Sequence, residues 1–316
     1  MVDYVKLQDE NDKNGKQPPK AIYYKKRRSR LNLKSIIILL LIVFIISSII
    51  SSITYLLTPK IGVVPIQGAI MTQKTSTLTQ TSISSREIAD ILRDLKDDNS
   101  VKGVILDINS PGGSAVASDE ISQAIDELKQ VKPVYALIND IGASGAFWIA
   151  VSSDKIYSSS MSTLGSIGVT SVGFGFEDLI EEYNITYRRY TAGEHKDMGS
   201  AFREPTLKEE KIIDNLLKEI HQNFITHIAK NRNMTYDKVL NYSTGEIFLG
   251  TQAKEIGFID EIGYYPDILS DIKEEVQSLN AIAVDYAPQQ SFTEILGINS
   301  IFSNSKTKSQ ILLQKE

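Results

Sequence analysis

From Ser35 to Leu57 the chain carries 23 consecutive residues without a charge, and every residue from Ile36 to Ile46 is apolar. Roughly 20 such residues cross a bilayer core at a rise of about 1.5 Å each. The run is apolar on all sides, so the pattern predicts a membrane-spanning helix and not the one-sided helix of a soluble domain. Beyond it the pattern changes. Short apolar runs at 61–65, 101–108, 134–138, 155–158 and 168–172 read as strands, and the short stretch 187–190 reads as another. Between them lie helical spacings. Ser84 with Glu87 opens a capping box ahead of Ile88, Ile91, Leu92 and Leu95, and Val116, Ile121, Ile125 and Leu128 mark a second helix. Residues 206–231 form one long helical pattern, with Ile212, Ile213, Leu216, Leu217, Ile220, Phe224 and Ile228 along a stripe. A short helix is expected at 236–240, and the stretch 252–256 is expected to return to the sheet. Strands alternating with helices predict an α/β domain with a mostly parallel sheet. After about residue 285 the periodicity stops. The expected organisation is a basic segment 1–34, a transmembrane helix 35–57, a folded domain 58–285 and a tail 286–316.

Charge gives this organisation a direction. Of 34 Lys and Arg in the 316 residues, ten fall within residues 1–34 against four Asp and Glu, leaving the remainder with 24 basic and 35 acidic residues. The body is therefore acidic, which argues against nucleic acid as a partner. Lys20, Lys25, Lys26, Arg27, Arg28, Arg30 and Lys34 precede the apolar run, and only Lys60 follows it closely. The positive-inside rule then predicts a cytoplasmic N-terminus and an extracytoplasmic body, with the bilayer as a partner through residues 35–57. A cleaved signal peptide has a shorter apolar region ending at small residues, and Tyr55-Leu56-Leu57-Thr58-Pro59 has no such character. The Asn-X-Ser/Thr triplets at Asn184, Asn233 and Asn241 are compatible with an external domain. There is no cysteine, so disulfides, thiolate metal sites and cysteine nucleophiles are excluded.

In α/β sheets reacting groups gather where strands end and helices begin. Three junctions carry candidate chemistry. At Asn109-Ser110-Pro111-Gly112-Gly113-Ser114 two glycines allow close backbone approach, so this is either an anion-facing loop or simply a glycine-rich turn. At Gly142-Ala143-Ser144-Gly145-Ala146 small residues flank a serine, which is either an exposed nucleophile on a sharp turn or the N-cap of the next helix. The third is the polar loop Thr191-Ala192-Gly193-Glu194-His195-Lys196-Asp197-Met198. A serine needs a base, and the chain has only three histidines, His195, His221 and His227. The last two lie six apart on the long helix, on different faces, and read as surface or packing histidines that form no zinc pair.

Taken together, Ser110-Pro111-Gly112-Gly113, Ala143-Ser144-Gly145-Ala146, Gly165-Ser166-Ile167-Gly168-Val169, the loop from Gly193 to Lys196 and the stretch from Gly245 to Gly263 resemble the signal peptide peptidase A family. These are Ser/Lys-dyad serine proteases of the Clp protease/crotonase fold, built from repeated β-β-α units. The resemblance spans roughly residues 60–270. It implies that Ser144 is the nucleophile, that Lys196 is its general base, that Ser166 hydrogen-bonds the lysine amine and that the N–H groups of Gly113 and Gly145 form the oxyanion hole. It also implies a homo-oligomer, and neither cofactor nor metal. Phe147-Trp148 departs from the family's more usual tyrosine pair, which bears on the substrate pocket and not on the dyad.

A free lysine amine, with a pKa of about 10.4, is protonated at neutral pH, and serving as a base near neutrality takes about 4 kcal/mol in favour of the uncharged form. Burial can supply that. Lys196 is accordingly expected in an apolar, poorly hydrated place with neither Glu194 nor Asp197 on its amine. The function so implied is a membrane-anchored endopeptidase acting on hydrophobic peptides such as cleaved signal peptides. Trimming of specific membrane proteins, a crotonase-like acyl-CoA activity and a non-catalytic scaffold are the alternatives.

Overall fold

The computed structural model describes residues 5–7, 21–23, 33–74 and 82–288. Most of the basic segment and nearly all of the C-terminal tail lie outside these residues. The chain divides at Leu57 into two units. In the first, β1 (Val5–Leu7) pairs antiparallel with β2 (Ala21–Tyr23), and α1 runs from Leu33–Leu57. Its stretch Ile36–Tyr55 is the one described helix long and apolar enough to cross a membrane, and none of it is buried against protein.

In the second unit β3 (Lys60–Gln67), β4 (Ala69–Met71), β5 (Ser82–Ser84), α2 (Ser85–Asp97), β6 (Val101–Ser110), α3 (Ala115–Lys129), β7 (Val134–Ala143), α4 (Gly145–Val151), β8 (Lys155–Ser158) and β9 (Thr163–Gly165) follow in order. Then come α5 (Glu177–Glu182), α6 (Leu207–Asn231), α7 (Tyr236–Leu240), β10 (Ile247–Leu249), α8 (Gly250–Ile256), β11 (Glu261–Ile262), α9 (Tyr265–Glu275) and β12 (Ile282–Asp285). The main sheet runs β10-β9-β7-β6-β3-β12, with β8 also on β7 and β11 on β8. All its pairs are parallel except β10 with β9. This is the mostly parallel α/β architecture expected of a Clp protease/crotonase fold.

Side-chain alternation explains the layering. Val134, Ala136 and Ile138 of β7, with Val104, Leu106 and Ile108 of β6, face the larger core shared with α2, α3 and α4. Tyr135, Leu137 and Ile105 point the other way, against Ile268 and Ile272 of α9. Both faces are covered, which is why these strands read as continuous apolar runs. Helix α2 presents Ile88, Ala89, Leu92 and Leu95 to the core, and each buried Leu or Ile contributes about 1.5–3 kcal/mol. Its N-cap is Ser84, whose hydroxyl accepts from Glu87 N–H.

Three of the expected strands are different. Residues 168–172 and 187–190 have no regular structure and are mostly exposed. Apolar β-branched and aromatic residues form strands only where a neighbour offers a pleated surface, and none stands beside these. The stretch 252–256 belongs to helix α8, begun by Gln252 Oε1 accepting from Leu249 N–H at 2.9 Å. The strands near it are β10 and β11 on either side. Helix α6 starts as expected, with a complete capping box between Thr206 and Glu209. Of its apolar residues only those of the second half are buried: Phe224, Ile225 and Ile228, whereas Leu207, Ile212 and Leu216 are exposed.

Candidate active site

The carboxyl ends of β6, β7 and β9 lie side by side, and the chain leaves each through a tight turn. From β6 it passes through Pro111, Gly112 and Gly113 to Ser114, whose hydroxyl caps α3. Gly112 has φ +97°, a conformation that strains other residues, and its N–H donates to Ser110 Oγ at 3.1 Å. Gly113 is clamped by a single parallel bridge to β4, in which Ile70 N–H donates to Gly112 O at 3.0 Å and Ser114 N–H to Ile70 O at 2.8 Å. A Cβ on Gly113 would overlap the Ile70 carbonyl. The bridge leaves the Gly113 N–H directed away from β4, and no backbone acceptor takes it among the described residues.

From β7 the chain turns at Ser144 into α4. Ser144 has φ 52° and ψ −123°. A non-glycine residue held this way stores strain on the order of 1–3 kcal/mol and is found where function requires it. Ser144 occupies the N-cap position yet makes no capping hydrogen bond, which answers the question its sequence context left open. Its own N–H donates to Gly165 O at 2.8 Å, tying the turn to the end of β9. Gly145, the first residue of α4, has its N–H free of any helical acceptor by position, and the ideal Cβ position of Gly145 is 3.4 Å from Gly113 N. Two adjacent, unclaimed N–H groups beside a serine hydroxyl can bind an oxyanion.

After β9, Ser166 also has a positive φ, of 51°, and its N–H donates to Glu246 O at 2.7 Å. Ser144, Ser166, Gly113 and Gly145 all line one cavity of about 930 Å³. Its remaining wall is largely apolar, with Val116, Trp148, Val169, Ile220 and Phe224 among the lining residues. Ile220 and Phe224 sit one turn apart on α6; the sequence marks them as members of an apolar stripe, but nothing local says that they face a cavity. Phe147 and Trp148 part company here. Phe147 is buried edge-on against Phe258 at 5.5 Å, whereas Trp148 lines the cavity and stacks flat on His227 at 4.0 Å. His227 bonds Trp148 O at 3.0 Å and Ser152 Oγ at 3.1 Å, and burial pushes its pKa down, so it is a neutral packing residue.

Lys196 does not join this group. It is exposed, and it is absent from the cavity lining. The apolar burial expected of it is not supplied by its own chain. The acidic neighbours behave as a lysine base requires. Asp197 pairs with Arg189 at 2.6 Å and with Arg203 at 2.9 Å, and Glu194 pairs with Lys208 at 3.0 Å. No carboxylate forms an ion pair with Lys196 among the described residues. The ring of His195 is turned toward Glu209, 3.6 Å away, and Glu194, 3.9 Å away.

The mostly parallel sheet and the serine at a strand end, beside two free N–H groups, form an arrangement suited to a serine hydrolase of the Clp protease/crotonase type. Residues 126–278 match the model of peptidase family S49. Over 196 residues the chain is 34% identical to a protein of Enterococcus faecium named as a signal peptide peptidase SppA, covering 62% of this chain and 57% of that one. It is 30% identical over 207 residues to a protein of Methanocaldococcus jannaschii named as a protease, covering 66% of this chain and 67% of the relative. A serine protease SPPA of Arabidopsis thaliana, chloroplastic by name, is 28% identical over 65% of this chain and 30% of its own length. The chain belongs to peptidase family S49, the signal peptide peptidase A family of serine proteases.

Proposed function

We propose that this protein is a membrane-anchored serine endopeptidase that degrades hydrophobic peptides, cleaved signal peptides among them, on the outer side of the cytoplasmic membrane. The observation that carries the reading is Ser144, strained, uncapped and set beside two free N–H groups at an apolar cavity. In the mechanism Ser144 Oγ attacks the scissile carbonyl and gives its proton to the neutral amine of Lys196. The oxyanion accepts from Gly113 and Gly145 N–H, and the lysine ammonium protonates the leaving amine. Water then cleaves the acyl-enzyme with the same base, and Ser166 Oγ holds the amine by a hydrogen bond.

Because Lys196 is exposed and outside the cavity of its own chain, we read the working site as shared between copies in a homo-oligomer. Supporting this, the segment that carries it exposes Val172, Phe174, Tyr183 and Tyr190, and the first half of α6 exposes Leu207 and Leu216. An exposed apolar surface of this extent marks an interaction site. No cofactor and no metal enters the scheme.

Labelling with a serine-directed acylating probe tests the nucleophile. The full chain in membranes should label, Ser144→Ala should not, and retention of label in Ser144→Ala would sink the proposal. Topology has its own test. Seven basic residues from Lys20 to Lys34 precede the apolar run and one follows it closely, which supports an external body by the positive-inside rule. A C-terminal tag on intact spheroplasts should therefore be digested by added protease, and a tag shielded until lysis contradicts the orientation.

A further inference from the structure

Lys196 stands among acids. Glu194 and Asp197 flank it in the loop, and Glu209 lies at the start of α6, yet each is engaged elsewhere. Arg203 takes two of them at once. Its Nε and Nη2 donate to the two oxygens of Asp197, both at 2.9 Å, while Nη1 and Nη2 donate to Glu209 at 2.9 and 2.7 Å. Glu209 is 1% exposed and also accepts from Thr206 N–H at 2.9 Å. Arg189 adds a hold on Asp197 Oδ1 at 2.6 Å and donates to Glu194 O at 2.9 Å. Paired bidentate guanidinium contacts fix geometry in a way that a lysine at position 203 does not reproduce.

We propose that Arg203 is a positioning residue for the base: by gripping Asp197 and Glu209 in one fork it keeps both carboxylates off the Lys196 amine, which stays free to lose its proton. The inference rests on the general-base reading of Lys196. The contacts with Arg203 hold the carboxyls of Asp197 and Glu209 below the usual carboxylate range. Such groups contribute above their unfolded values and lose that contribution only as pH falls through the depressed ones, so the network is ionised throughout any assay above about pH 5. The other titratable groups facing it are His195, beside Glu209, and Lys208, on Glu194. In Arg203→Gln the Asp197 Oδ2 loses its charged partner. A carboxylate that comes within about 4–6 Å of the amine favours its protonated form.

The test is the pH profile of kcat/KM on a hydrophobic peptide, using the full chain in membranes. Arg203→Gln should move the rising limb up by about one pH unit, lowering activity about tenfold below the limb, with the high-pH plateau within about threefold of wild type. Adding Asp197→Asn should return the limb toward its original place. If Arg203→Gln fails to fold because Glu209 is stranded, Arg203→Gln with Glu209→Gln removes the stranded charge, still leaves Asp197 held by Arg189 alone, through Oδ1, and should show the same movement. A lowered plateau at an unmoved limb makes Arg203 a structural staple and overturns the inference. An active Lys196→Arg chain overturns instead the base reading beneath it.

Discussion

Lys196→Arg should lose about 10⁴-fold in kcat/KM on a hydrophobic peptide while keeping its fold, as expected for removal of the base from a nucleophile–base unit. The guanidinium keeps its proton at any usable pH and cannot accept one from Ser144. The fold should be spared, because Lys196 is exposed and makes no side-chain contact that holds the loop among the described residues. His195→Ala, at the preceding position of the same loop, should stay within about tenfold of wild type, since its ring faces Glu209 and Glu194. Mixing adds a second readout. If the base of one copy serves the serine of another, membranes co-expressing Ser144→Ala and Lys196→Arg chains should regain activity that neither has alone. Steady-state kinetics on the purified chains settles the first point. A dead His195→Ala with normal folding would replace Lys196 by His195, and absence of any rescue would return the base to the same chain.

Gly113→Ala should remove most catalysis by a different route. The new methyl group would overlap the Ile70 carbonyl and approach Ile70 N at 2.7 Å, so the bridge between β4 and the loop must open. Opening it swings the Gly113 N–H away from Gly145. Loss of one oxyanion donor lowers kcat by about 10²–10³-fold, and overpacking at a backbone contact destabilises by about 1–3 kcal/mol. Gly173→Ala is the matched control, because a Cβ there meets nothing within 4 Å. Urea titration separates the two contributions: folded Gly113→Ala protein should still be slow. A folded Gly113→Ala enzyme keeping more than a tenth of wild-type kcat would remove this glycine from the oxyanion hole.

Much of the molecule is written locally. The apolar length of α1, the cap of α2 by Ser84, the capping box of α6 and the two-sided apolar runs of β6 and β7 follow from neighbours within a few residues, because hydrogen bonding at helix ends and alternation along strands are short-range effects. The glycine pairs and the small residues around Ser144 were equally visible as turns. Their meaning was not, since a serine before a helix is ordinarily a cap. Only the tertiary structure shows that Ser144 is held at φ 52° by its bond to Gly165 O and leaves its hydroxyl unused. The same holds for residues 168–172 and 187–190, with β-branched or aromatic residues suited to strands but left without a neighbour to pair with, and for Ile220 and Phe224, whose cavity-facing role depends on where α6 lies. Sequence placed Lys196 in an acidic loop; the path of the chain on either side of it decided that Arg189, Arg203 and Lys208 take the acids. That lysine stays exposed in its own chain, so the apolar environment a base needs belongs to the proposed assembly of copies, because an exposed side chain gains one only from a surface its own fold does not provide.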